Sequence, residues 1–214
     1  SPAVDEPWHF INPDDPNDTA LLEMIDGHIG NLARALRTNN PERAAFEAAW
    51  MAHAITDGLT PAHHFPLEQA MAELRGGEGL ETRTSILKKN LMKGDNGIEL
   101  IKNNWKFWGA KGMMTTHVAF EAGVASVVSY PRFKDAIPSD DEISQVRNHG
   151  YREYYLDQVH AVASMKMYDN FIKSGWTTDL AWQTNHELMP IIIKSVMLGW
   201  LASIWKLEAE KSES

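Results

Sequence analysis

Histidine and carboxylate side chains recur one helical turn apart in this sequence, and one such pair leads into a proline turn carrying more imidazole. The stretch "WMAHAITDGLTPAHHF", residues 50–65, sets His53, Asp57 and His63 in the pattern H-x3-D-x5-H. On a helix, His53 and Asp57 fall on one face, so an imidazole and a carboxylate can converge on one cation. Asp57 could also bridge two metals with its two oxygens. Gly58 frees the backbone after it, and Pro61 stiffens the return that brings His63 back. Downstream, "THVAFEAGVA" holds His117 and Glu121 at the same spacing. Two helices that each offer His and a carboxylate at i and i+4 can build a metal site in a bundle core. The chain has no cysteine, so its strong donors are nitrogen and oxygen. That set suits Zn²⁺, with manganese or iron as competitors.

With 9 His and 29 acidic residues in 214, about one His-to-acid pair at i+4 is expected by chance. Four occur: His53/Asp57, His64/Glu68, His117/Glu121 and His149/Glu153. For His53 and Asp57 taken alone, a ligand pair and a hydrogen-bonded core pair are equal readings. His149/Glu153 reads as a solvated helix face, and His64/Glu68 straddles Pro66 as a surface turn. His28, His160 and His186 read as structural or exposed.

These residues need helices to position them. Residues 1–18, rich in Pro, Asp and Asn, form an expected extended arm. An all-α domain over 19–207 follows, of six or seven helices, then a charged tail over 208–214. Asn17 or Asp18 caps a first helix over 19–37, striped by Leu22, Ile25, Ile29, Leu32 and Leu36. Asn40 with Pro41 opens the second helix, which Gly58 ends. Phe46, Trp50, His53 and Asp57 share a face of it that the apolar members mark as buried. A short helix follows the turn. Residues 80–112 are helical but broken near Gly94 and Gly97, and 113–129 form a helix stopped by Pro131. Ser139 and Glu142 make a capping box for a long helix toward 173, and Gly123 lets another helix approach. The last helix starts near Thr178 and is bent or interrupted by Pro190. No strand alternation or repeat is present.

Composition excludes some functions. The formal charge of −9 disfavours salt-sensitive attachment to a phosphate backbone, though a nuclease whose metals neutralise phosphate locally stays open. The apolar run "MPIIIKSVMLGWLASIW", residues 189–205, contains Lys194 and Pro190. It is short for a span and reads as a buried helix. Absence of cysteine fits cytosol and secretion equally. The start "SPAVDEP" reads as a processed end, compatible with a removed leader.

The order of the motifs resembles the zinc-dependent phospholipase C and single-strand nuclease superfamily. "HAITDGLTPAH" is similar to its H-x3-D-x5-H element, and "HVAFE" to its second His-x3-Glu or His-x3-Asp pair, in the bacterial phospholipase C version. "PWHFINP" resembles its isolated upstream histidine. The resemblance covers roughly residues 7–125. It implies an all-α fold with the metal site between core helices, one zinc on His9, His53 and Asp57, and another on His63, His117 and Glu121. His63 is preferred over His64. The family's third metal draws on residues upstream of His9 that this sequence does not carry, so two zinc ions are expected. The residue acting as base is unknown, with Asp14, Asp15 and Asp26 as substitutes for the family's aspartate. The longer spacing from His63 to His117 implies a helical insertion over the site.

The implied activity is phosphodiester hydrolysis, phospholipase C-like, on a phospholipid or other phosphodiester, by metal-activated water. Trp8, Phe10, Trp50 and Phe65 sit beside motif residues and would line a pocket for acyl glycerol or a nucleobase. Nucleic acid is the less favoured substrate. The competing readings are a single-strand nuclease of the same superfamily and a metal-stabilised helical scaffold that has lost catalysis. A His/Asp phosphohydrolase of another helical family is weakened by the lack of any His-Asp dipeptide. A secreted or extracytoplasmic address follows from the resemblance alone.

Overall fold

The computed structural model describes residues 10–65, 67–78, 85, 90–128, 133 and 136–212. Among them the chain is all-helical, with no strand. The helices are α1 (Ala20–Arg37), α2 (Pro41–Gly58), a 3₁₀ turn (Pro61–His64), α3 (Leu67–Leu74), α4 (Gly97–Trp108) and α5 (Met113–Val128). They continue with α6 (Asp140–His149), α7 (Tyr151–Ser164), α8 (Met167–Ser174), α9 (Thr178–Gln183), a π turn (Thr184–Leu188) and α10 (Met189–Ser212).

Local chemistry explains most of the boundaries. Asn40 accepts from Arg43 N–H and Pro41 opens α2, while Ser139 and Glu142 close a capping box on α6. At α1 the cap differs from expectation. Thr19 is the N-cap residue, and Asp18 instead accepts from the Asn12 N–H at 2.8 Å, which folds the arm on itself. The arm is anchored, because Ile11 is buried and its N–H donates to the His63 carbonyl.

The long helix expected from Ser139 to 173 is three helices. Gly150 has φ of +92° and Lys166 has φ of +52°. Each reverses the chain into the left-handed half of backbone space, which no α-helix can contain. Pro190 does interrupt the last helix, by a π turn that ends two residues upstream. Proline has no N–H, and its ring crowds the preceding turn, so a wider turn accommodates it.

The core forms where α1 packs on α2 and α10 lies across both, with α7 against α10 and the 3₁₀ turn. Tyr151 of α7 donates to the Ser195 carbonyl and Tyr155 to the Ile55 carbonyl, so both buried hydroxyls are satisfied while their rings fill the core. The helical segment from Thr178 to Ala209 is long and apolar enough to cross a membrane by composition. A third of its most apolar window is buried: Leu198, Ser195 and Ser203 face the core, and Lys194 pairs with Glu142.

Gly58 is part of α2 rather than a terminator beyond it. A Cβ there would run into the Tyr155 hydroxyl and Leu21, so glycine is needed for close packing. The face of Phe46, Trp50, His53 and Asp57 is not the buried one. Phe46 is 48% exposed and the core face is Ala44, Glu47, Met51, Ala54 and Ile55. Leu36 is likewise exposed at the end of α1. Glu47 is fully buried, paired with Arg43 of its own helix and bonded to His28 of α1, a contact that joins α1 to α2.

Candidate metal centre

The turn after α2 is built in steps. Thr60 Oγ1 donates to the Thr56 carbonyl, Thr60 N–H to the Asp57 carbonyl, and His63 N–H to the Thr60 carbonyl. Pro61 presets the first position of the 3₁₀ turn. The consecutive histidines diverge. His63 is buried and faces α5, whereas His64 donates from Nε2 to the Gly58 carbonyl at 2.9 Å. Burial holds the His64 imidazole below its ordinary range.

α5 brings the other two donors. Its rotation is set by fully buried Phe120, whose ring meets Tyr168, Phe171 and Trp176 at centroid distances of 5.3–5.4 Å. Trp176 lies against Gly123, where a Cβ would overlap its indole. The expected close approach at Gly123 is therefore to a side chain, not to another helix. With Phe120 in the core, the same helix side presents His117 and Glu121 to the turn.

One oxygen of Glu121 lies 3.0 Å from His63 Nε2 and 3.1 Å from His117 Nε2. The two imidazoles stack with centroids 5.1 Å apart and 12° between planes. Phe10 packs over both rings, at 5.2 and 6.3 Å. The two hydrogen bonds, from His117 and then His63, hold the Glu121 carboxyl down at about 2; it stays ionised through the physiological range.

Asp57 continues the chain on the other side. It lies 3.2 Å from His53 Nε2 through one oxygen and 4.0 Å from His63 Nδ1 through the other. His53, Asp57, His63, Glu121 and His117 thus form one line of alternating imidazole and carboxylate groups. Ligand atoms of His63, His117 and Glu121 all lie within 4.8 Å of one another. The nitrogens that converge on Glu121 are His63 Nε2 and His117 Nε2; His117 Nδ1, the other ring nitrogen, is buried. Two imidazoles and a carboxylate converging in a mostly buried site fit a metal ion by donor chemistry.

The remaining expected residues are dispersed. His9 and Trp8 lie outside the described residues; of the group expected with His9, the pair His53 and Asp57 lies 3.2 Å apart. Trp50 packs edge-on against His53 at 5.6 Å. Phe65 lies on the far side of the turn against Tyr168, lining an open groove of about 910 Å³ with His64, His160 and Asp14. None of His53, Asp57, His63, His117 and Glu121 lines that groove. Asp26 is bonded to Arg152 at 3.0 Å, and Asp15 accepts from Asn17; both are engaged in structural contacts. His149 and Glu153 are 4.0 Å apart and exposed, a solvated pair. Sequence reasoning missed Tyr155, which supports the carbonyl two residues before Asp57. The only signal was the run "YREYY", which places aromatic rings on one helical face.

Comparison with family models, curated proteins and solved structures returns no match.

Proposed function

We propose that the chain is a zinc-dependent phosphodiester hydrolase, phospholipase C-like in its chemistry. The observation that carries this reading is the convergence of His63, His117 and Glu121 within 4.8 Å. Two histidines and one carboxylate are the donor set of a catalytic zinc, with a fourth position left for water or substrate, whereas structural sites close all four. When bound, the ion supplies Lewis acidity toward a phosphoryl oxygen and lowers the pKa of a water molecule.

The chain's own residues do the rest. Glu121, ionised above about 2, supplies the negative charge that favours a dication. Asp57 lies 4.0 Å from His63 Nδ1 and places a second carboxylate beside the ring. Phe10 lies beside both imidazoles and gives the site an apolar wall. A second zinc would use His53, Asp57 and His9. Phospholipid is favoured over nucleic acid because the chain carries −9 formal charge.

The metal-stabilised scaffold is favoured by one observation, that the groove beside His64, Phe65 and His160 is not lined by the donor residues. Elemental analysis and turnover of a chromogenic phosphocholine ester separate the two. The hydrolase binds zinc, and hydrolysis disappears in His63→Ala and His117→Ala. A zinc-loaded protein inert toward phosphodiesters identifies the scaffold, and a protein that takes up no metal overturns both.

A further inference from the structure

Helix α4 turns Phe107 and two half-buried asparagines to its inner side and leaves large apolar side chains exposed on its outer side. On its inner side Phe107 is buried with Met71 and Met92. Asn103 Nδ2 donates to the Lys93 carbonyl at 2.8 Å. Asn104 donates to the Met92 carbonyl and accepts from the Met92 N–H. These amide clamps fix the rotation of the helix. On the opposite side Ile98, Ile101 and Trp105 follow helical spacing, with exposures of 82%, 69% and 71%. Trp108 flanks them at 46%, its ring edge-on to Phe107 and its Nε1 donating to the Asn90 carbonyl. A contiguous stripe of large apolar groups held in water marks an interaction site rather than ordinary surface.

Charge identifies the partner. Lys102 and Lys106, one turn apart and exposed, run along the edge of the stripe. Residues 90–112 carry four lysines and two acids within a chain of −9; Lys93 is paired with Glu78, and Lys102 and Lys106 make the edge of the stripe basic on an acidic protein. Ile and Trp on one side with Lys beside them is the pattern of a helix lying in a bilayer interface. A second copy of the chain fits less well. Four side chains of one helix fall well short of the roughly 20–30 residues a side of a stable protein interface, and self-docking would bring lysine rims together.

We propose that α4 docks the protein on an anionic lipid surface, with the Ile98–Ile101–Trp105 stripe in the headgroup boundary and Lys102 and Lys106 on lipid phosphates. The helix is joined to the candidate metal centre by one small core of Met71, Met92 and Phe107, against which Phe10 packs, the residue beside His63 and His117. Lipid docking itself requires neither metal nor turnover, so it stands or falls apart from the hydrolase reading.

The test is co-sedimentation of the full chain with vesicles of phosphatidylcholine, with and without phosphatidylglycerol, in chelator and with zinc. Wild type should bind the phosphatidylglycerol vesicles, less tightly as salt rises, with tryptophan emission shifting to the blue. Combined Ile98→Ser, Ile101→Ser and Trp105→Ser should weaken binding at least about tenfold at unchanged helical circular dichroism, because all three side chains are exposed. Lys102→Glu with Lys106→Glu should remove the preference for phosphatidylglycerol. Wild type that fails to bind vesicles, or a triple variant that binds as well as wild type, overturns the proposal. So does a dimer in sedimentation equilibrium that the triple variant dissolves, which would make the occupant a second copy.

Discussion

Glu121→Gln tests the centre most directly, since it keeps the side-chain shape and removes the charge that accepts from both imidazoles. The Glu121 carboxyl is lowered from 4.5 to about 2. At about 1.4 kcal/mol per unit, such a shift corresponds to ~3 kcal/mol for a fully enclosed group. The side chain is 43% exposed, so solvent screening reduces this to about 1–2 kcal/mol. Because the folded value is depressed, the contribution is fully present above the unfolded value near 4.5 and is lost as pH falls toward 2. Urea unfolding of the metal-free protein should therefore show Glu121→Gln less stable than wild type at pH 7, by ~1–2 kcal/mol. The gap should close as both are titrated toward pH 2. Zinc should raise the wild-type melting temperature in a concentration-dependent way and do so far less in the variant, since binding to the folded state alone stabilises by mass action. A variant with the same pH slope and the same zinc response as wild type would refute the idea that Glu121 ties the two histidines together.

Gly58→Ala should cost about 2 kcal/mol or more in chemical unfolding, because the new methyl displaces the Tyr155 hydroxyl from the Ile55 carbonyl and crowds Leu21; a neutral effect would show that α7 can shift freely. His149→Ala, at an exposed pair, should change stability by less than about 0.5 kcal/mol and leave zinc uptake untouched. A loss of metal there would relocate the site.

Recurrent i, i+4 spacing on two helices places His117 beside Glu121 and His53 beside Asp57, and helical geometry alone dictates those neighbours. Asn40–Pro41 and Ser139–Glu142 likewise mark helix starts by local hydrogen bonding. The break at Gly150 is less legible, because a glycine inside a periodic pattern is compatible with either a continuous helix or a reversal. Periodicity also misplaces the exposed face of Phe46 and does not reveal the outward stripe of α4. An apolar stripe says that a helix has two unlike faces, not which one meets the core. That His63 faces α5 while His64 bonds back to Gly58 depends on a turn anchored by Thr60 and Ile11. The meeting of His63 with His117 and Glu121 across 54 and 58 residues depends on Phe120 locking the rotation of α5. Short-range pairing is a property of the chain's own helical repeat, while convergence of distant donors is decided by packing, and only packing has access to both segments at once.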